Sequence, residues 1–310
     1  MIFHRIKFLF IWEQRRRFTF PISIYEVALI VNLLAALGVP DWIWDAFVAI
    51  LTILFVIILI RIISLFRKRG IIQKNISSKL FTMFTGPLFV VCWLFFSGGF
   101  YSRYMAAVLP GLLILLYILV CLGSIRSKEF KNTISPDGTA IGLLKVPLLY
   151  ALFMVFAALY LWYVPLDSLS APIFTLFIPT ALLIFGPLAG GSSFASLIHH
   201  HYGKYRFKVL TEKTIEGSLA MFFFSLLFTF GLLGIYWIFL GQIFNSFSIP
   251  TLILPIFIVS GVTTIIELLS PENSDVVLIP LAAFFTIFVV HLLGFYPYLV
   301  VFPFRLQFIP

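Results

Sequence analysis

Apolar runs of about 20 residues recur along this chain, at roughly 22–38, 42–64, 80–98, 102–124, 146–164, 169–190, 217–239, 250–270 and 276–300. A helix rising 1.5 Å per residue needs about 20 apolar residues to cross a hydrocarbon layer about 30 Å thick. Within lipid the backbone must satisfy its own hydrogen bonds, so spanning segments are helices or closed barrels. Hydrophobic residues make up 62% of the 310 positions and charged ones 11%, far from the roughly 45–50% and 25% of a soluble domain. The same numbers exclude disorder, a collagen-like fibre and a disulfide scaffold. The expectation is an all-α, polytopic integral membrane protein of nine transmembrane helices. One transmembrane domain covers 22–300, a basic interfacial segment precedes it at 1–21, and a short tail follows at 301–310.

The charges between the runs test this count. Lys and Arg collect on the cytoplasmic side of a membrane protein. Nineteen of the 21 basic residues fall on one face if the nine runs alternate, in the N-terminal segment and the second-to-third, fourth-to-fifth and sixth-to-seventh connections. Only Arg103 and Arg305 fall on the other. An error of one span would scramble that alternation, which predicts a cytoplasmic N-terminus and an outside C-terminus. The net charge of +9 is then a cytoplasmic basic rim suited to anionic headgroups and phosphates. Nucleic acid is excluded as a partner, because no soluble basic domain with interleaved aromatics exists. Arg5, Lys7 and Arg15 to Arg17 precede the first long run, which argues against a cleavable signal peptide. With Phe8, Phe10, Trp12 and Phe18 they read as an interfacial anchor. A bacterial inner membrane and an endoplasmic reticulum fit equally well. Cys92 and Cys121 lie in apolar runs without metal-ligand spacing and read as packing residues.

Polar residues concentrate on the basic face. The longest polar stretch between spans runs from Gly190-Gly191-Ser192-Ser193 through Ala195, His199-His200-His201 and Gly203 to Lys213-Thr214-Ile215-Glu216-Gly217-Ser218. Its small residues are expected to end one helix, and Thr214 to open the next. A helix start offers unpaired N–H groups and a positive dipole end to a phosphate. Lys213 would add a point charge, and Thr214 or Ser218 a hydroxyl; an ordinary basic loop with a Thr cap is the plainer reading. The His run lacks metal-ligand partners and reads as a solvated or phosphate-facing patch. Glu267, late in the eighth run, is a carboxylate inside a span and therefore a functional candidate. Asp275 follows it in a tight turn at the rim. With Glu216, these carboxylates make a candidate Mg²⁺ set, since Mg²⁺ takes one or two carboxylates plus phosphate oxygens.

The spacing resembles the polyprenol and phytol kinase family, which includes dolichol kinase. That family carries Asp-x-x-Ala-x-x-x-Gly-x-x-x-Gly, eight residues, then Lys-Lys-Thr-x-Glu-Gly. Here Ala195 and Gly203 stand in register, residues 204–211 follow, and then comes Glu212-Lys213-Thr214-Ile215-Glu216-Gly217. Gly142 to Tyr150, with Lys145, is similar to the family's Leu-Lys-Gly-Pro-Leu-Tyr stretch. Thr264 to Glu267 and Asp275 to Pro280 are similar to its Thr-Leu-x-Glu and Asp-Asn-x-x-x-Pro segments. Lys79 to Gly86 resembles its early Arg-Lys-x-x-His-x-x-x-Gly. The likeness covers about residues 78–290. The departures are Ser192 for the loop Asp, His199 for the first loop Gly, Glu212 for the first Lys, Val276 for the Asn and Thr82 for the His.

The resemblance implies a kinase that moves the γ-phosphoryl of CTP, with Mg²⁺, onto a membrane isoprenoid alcohol such as dolichol, another polyprenol or phytol. Ser192, Ala195, Gly203, Lys213, Thr214, Gly217 and Ser218 would bind the nucleotide. Glu216, Glu267 and Asp275 would hold metal or orient the hydroxyl, and Lys79 and Lys145 would stand on the lipid side, all at the cytoplasmic interface. The missing Asp at position 192 supports a second reading, a non-catalytic relative that binds lipid or nucleotide. A phosphatidate cytidylyltransferase-like enzyme and a diacylglycerol kinase are further alternatives.

Overall fold

Dipole and capping chemistry place the ends of the helices that the apolar runs form. In the computed structural model, residues 40–97, 101–125, 127–161, 179–208, 212–240, 249–271, 274–295, 300–301 and 304–305 are described. The basic segment 1–21 and the first apolar run fall outside these residues. Helix α1 (Asp41–Lys68) begins with an acidic residue and ends with Arg67 and Lys68, the arrangement that complements the helix dipole. Helix α2 (Lys74–Cys92) tightens into a 3₁₀ turn at Trp93–Phe95, and α3 follows at Ser102–Cys121. The short α4 (Lys128–Ile134) is capped by Ser127, whose hydroxyl accepts the Phe130 N–H at 3.3 Å. A 3₁₀ turn at Ile141–Leu144 leads into α5 (Val146–Tyr160). Helix α6 (Pro179–Phe185) runs through a π-helical turn at Gly186–Gly191 into α7 (Ser192–Tyr202). A hairpin of β1 (Arg206–Lys208) and β2 (Glu212–Thr214) precedes α8 (Ile215–Leu240), α9 (Ile249–Leu269) and α10 (Asp275–Leu292). Strands β3 (Val300–Val301) and β4 (Phe304–Arg305) form a second small hairpin.

Among the described residues, eight helical segments are long and apolar enough to cross a membrane, from Asp41–Lys68 to Asp275–Leu292. The chain is thus an all-α polytopic membrane protein with two minor hairpins. The sixth run needs correction. Its helix continues to Tyr202 rather than ending near 190, so Gly190 to Tyr202 is helix and not an inter-span loop, while residues 169–178 lie outside the described residues. The small residues that suggested a helix end instead let a neighbour approach: Gly186, Gly190 and Gly191 are buried against α8.

Helix α2 lies centrally, touching α1 and α4 on one side and the π-helical turn, α7 and α8 on the other. Pro87 interrupts it, and a proline removes one N–H from the helical ladder. Two buried tyrosines bond to its carbonyls, Tyr150 to Thr82 O at 2.8 Å and Tyr236 to Val90 O at 2.7 Å. Trp93, Tyr117, Phe81, Phe89 and Phe185 are among the largest fully buried side chains of the core. Cys92 is buried and Cys121 half-buried, both as thiols, and His291 is buried in α10.

Opposite the basic connections, one carboxylate ties three elements together. Asp45, 1% exposed, accepts the Ser97 N–H at 2.7 Å, the Ser97 hydroxyl at 3.0 Å and the Ser102 hydroxyl at 2.5 Å. Asp45→Ala strands those donors in an apolar setting, and hydrogen bonds to charged groups contribute about 1.5–3 kcal/mol each. Thermal unfolding in detergent should register a loss of about 3 kcal/mol, with Asp45→Asn losing less.

Candidate functional site

The polar residues gather where α7 ends, the hairpin turns and α8 begins. In α7 the side chain of Ser192 bonds to Leu188 O at 2.8 Å, one turn back. Ser193, fully buried, reaches Lys79 O on α2 at 3.4 Å. The chain leaves α7 at Gly203. A Cβ there would stand 2.5 Å from both His199 O and Thr214 Cγ2, so the hairpin folds back against α7 only with glycine at this position.

Across the hairpin Arg206 pairs with Thr214, Phe207 with Lys213 and Lys208 with Glu212. This register delivers Thr214, 1% exposed, to the head of α8. Its hydroxyl accepts the Gly217 N–H at 3.1 Å and lies 3.2 Å from His199 Nδ1. The contact between His199 and Thr214 was not visible in the sequence, where His199 read as part of a solvated or phosphate-facing patch; His200 and His201 are exposed. Gly217 lets α8 approach α7, since a Cβ there would lie 3.3 Å from Ala195 O. The plainer reading of Thr214, a cap, is therefore realised. Thr214→Ala should cost about 1 kcal/mol in thermal unfolding, and Thr214→Ser should retain most of it.

Two lysine–carboxylate pairs flank this helix start. Lys213 Nζ bonds to Glu267 Oε1 at the end of α9, with side chains 18% and 10% exposed. Lys79 Nζ on α2 stands 3.8 Å from Asp275 Oδ2 in the first turn of α10. A carboxylate inside a span is costly unless it is paired or lines a polar cavity, and both carboxylates here are paired. Three connections, all assigned to the basic face by the charge alternation, supply these four residues, since Glu267 and Asp275 flank one turn. Asp275 Oδ1 is buried and makes no hydrogen bond, and the Ser218 hydroxyl in the first turn of α8 is likewise buried without a partner.

The third carboxylate of the expected set does other work. Glu216 Oε1 accepts the Tyr205 N–H at 3.3 Å, and Tyr205 O accepts from Ile215 N at 3.1 Å. Glu216 thus clasps the chain between α7 and the hairpin. Among the described residues no three His, Cys, Asp or Glu side chains are grouped to hold a metal, so Glu216, Glu267 and Asp275 do not form a preassembled three-carboxylate site. What fits Mg²⁺ is a carboxylate oxygen without a partner, Asp275 Oδ1 or Glu216 Oε2, because Mg²⁺ binds through one or two carboxylates and phosphate oxygens. Lys145 is exposed at the start of α5 and makes no ion pair among the described residues.

Comparison with known proteins adds relatives. The chain is 31% identical over 235 residues to probable phytol kinase 1, chloroplastic, of Glycine max, covering 74% of this chain and 72% of that protein. It is 29% identical over 217 residues to phytol kinase 1, chloroplastic, of Arabidopsis thaliana, covering 69% and 66%. Over 154 residues it is 29% identical to farnesol kinase, chloroplastic, of the same plant, covering 50% and 46%. For several of these relatives the match spans about half to two thirds of their length. No protein-family profile and no solved structure matches the chain.

Proposed function

This chain belongs to the polyprenol and phytol kinase family, and from that premise we propose that it phosphorylates the hydroxyl of a membrane isoprenoid alcohol, with CTP as donor. The observation that carries this reading is the pair of lysine–carboxylate contacts beside the capped start of α8, buried at the end of the bundle where the basic connections meet. Phosphoryl transfer needs positioning and charge neutralisation more than covalent chemistry from the protein, and lysines beside an N-terminal helix turn supply both. Two of the relatives are named for phytol and farnesol, which favours an alcohol of that class.

In the proposed reaction the nucleotide phosphates draw Lys213 from Glu267, and the first-turn N–H groups and Ser218 hydroxyl of α8 receive phosphate oxygens. Glu267, released from its pair, accepts the proton of the alcohol as that oxygen attacks the γ-phosphorus, and the bond to the β-bridging oxygen breaks to release CDP. Lys79 and Asp275 hold the opposite side of the site. Mg²⁺, when bound, would neutralise phosphate charge, held by Asp275 and phosphate oxygens. Ser192, already bonded to Leu188 O, keeps the helix turn and takes no part in proton transfer. The alcohol's chain lies among apolar helices with its head at the cytoplasmic interface.

Transfer of γ-labelled phosphate from CTP or ATP to phytol, farnesol, dolichol or diacylglycerol, with Mg²⁺ and detergent-purified protein, tests this. Labelled prenyl phosphate from CTP is the expected product. Silence across the panel that Ser192→Asp reverses would instead identify a relative that has lost its chemistry, and silence in both would leave a lipid- or nucleotide-binding protein.

A further inference from the structure

Away from the carboxylate pairs' own residues, a cleft of about 360 Å³ opens between α1 and α3. Its walls are apolar: Val56 and Ile60 from α1 face Leu109 and Leu113 from α3. At one end, by the basic connections, the lining turns polar with Arg61, Ser64 and Glu129. Ser64 is 4% exposed, and its hydroxyl makes no hydrogen bond. A buried hydroxyl without a partner is uncommon and costly, and this one lines an open cleft.

The charge at that end is unbalanced. Glu129 Oε1 bonds to Lys68, and Glu129 Oε2 lies 3.5 Å from Arg61. The bond from Lys68, with Arg61 and Arg67 nearby, holds the Glu129 carboxyl below the usual carboxylate range, so it is ionised. Among the described residues one carboxylate therefore faces three cations, and the buried Arg67 Nε makes no hydrogen bond. Lys128 and Lys131 stand on the same short helix as Glu129. An apolar slot among membrane-spanning helices, ending in a surplus of positive charge and unsatisfied donors, has the chemistry of a phospholipid with an anionic headgroup. Basic pockets between helices on the cytoplasmic side hold such headgroups.

The geometry points to a bound anionic phospholipid, one acyl chain in the cleft between α1 and α3 and its headgroup on Arg61, Arg67, Lys68 and Ser64, at a site separate from the phosphoryl-transfer machinery. A single slot lined by aliphatic side chains takes one chain of a two-chain lipid, the other lying on the bilayer side.

Native mass spectrometry of the detergent-purified chain, titrated with dioleoyl phosphatidylglycerol, dioleoyl phosphatidylcholine or farnesyl monophosphate, tests the assignment. Phosphatidylglycerol should be retained in preference to phosphatidylcholine. Arg61→Gln and Lys68→Gln should each weaken phosphatidylglycerol about fivefold, since a surface cation near an anionic lipid contributes about that factor. Glu129→Gln should tighten it by removing the competing carboxylate, a change that a merely structural ion pair would not produce. Ile57→Trp, which fills the slot, should remove both phospholipids; if that variant fails to fold, the charge variants still decide. Equal retention of the two phospholipids, or no retention, would overturn the assignment. Displacement of phosphatidylglycerol by farnesyl monophosphate would also overturn it, giving the cleft to the substrate or product of the transfer site.

Discussion

Lys213→Ala should lower the proposed prenyl-alcohol phosphorylation by about 100-fold or more, the loss typical when one pre-placed electrostatic group is removed from a transition state. The same variant also loses stability, and the two effects need separating. Lys213 and Glu267 are mostly buried, and removing one partner of a buried pair leaves an uncompensated charge at a cost of about 3–5 kcal/mol. Glu267→Gln in the Lys213→Ala background removes that charge. The double variant should therefore recover most of the thermal stability of the parent while remaining inactive. Melting temperature and labelled-phosphate transfer, measured on the same preparations, distinguish a pair that serves the reaction from one that serves only the fold. Full activity in Lys213→Ala would remove Lys213 from the mechanism; activity restored together with stability in the double variant would reduce the pair to a fold element.

The spans and their charge alternation were legible in the sequence because both are dictated by the solvent. Lipid demands about 20 apolar residues per crossing, and basic side chains stay on one side, so Lys79, Lys213, Glu267 and Asp275 could be assigned to one end before any contact was known. Their pairing could not. Nothing in the spacing says that Lys79 meets Asp275 or that Lys213 meets Glu267, because those choices are made by how α2, α8, α9 and α10 pack. Glu216 shows the limit from the other side: grouped with the other carboxylates by residue type, it is turned by the first turn of α8 onto the Tyr205 amide. Gly190-Gly191-Ser192-Ser193 misled for a physical reason as well. Such residues punctuate turns in water, whereas between membrane helices small residues mark the surface on which a neighbour lies. The hairpin was illegible because Phe207 and its neighbours offer too few residues for a strand pattern.

The π-helical turn should prove the most fragile part of the molecule to enlargement. Its glycines are the bed of α8, the most extensive contact among the described elements. A Cβ on Gly190 would overlap the ring of Phe228 and lie 2.7 Å from its Cβ; a Cβ on Gly186 would lie 3.0 Å from the backbone nitrogen of Thr229. A ring can rotate, but a helix backbone moves only with the whole helix. Gly190→Ala should therefore destabilise by about 2–3 kcal/mol through overpacking, and Gly186→Ala by at least as much. Phe228→Ala alone leaves a cavity, yet in the Gly190→Ala background it vacates the space that the new methyl needs. The pair should therefore be more stable than the sum of the two single losses, a coupling expected of residues in contact. The loss should also reach the proposed site, since α7 carries Ser192 and Thr214 caps the start of α8. Displacing α8 from the π-helical turn should raise the nucleotide KM as well as lower the melting temperature. If Gly190→Ala melts and turns over like the parent, α8 does not lie on this turn, and the bundle is packed differently around its centre.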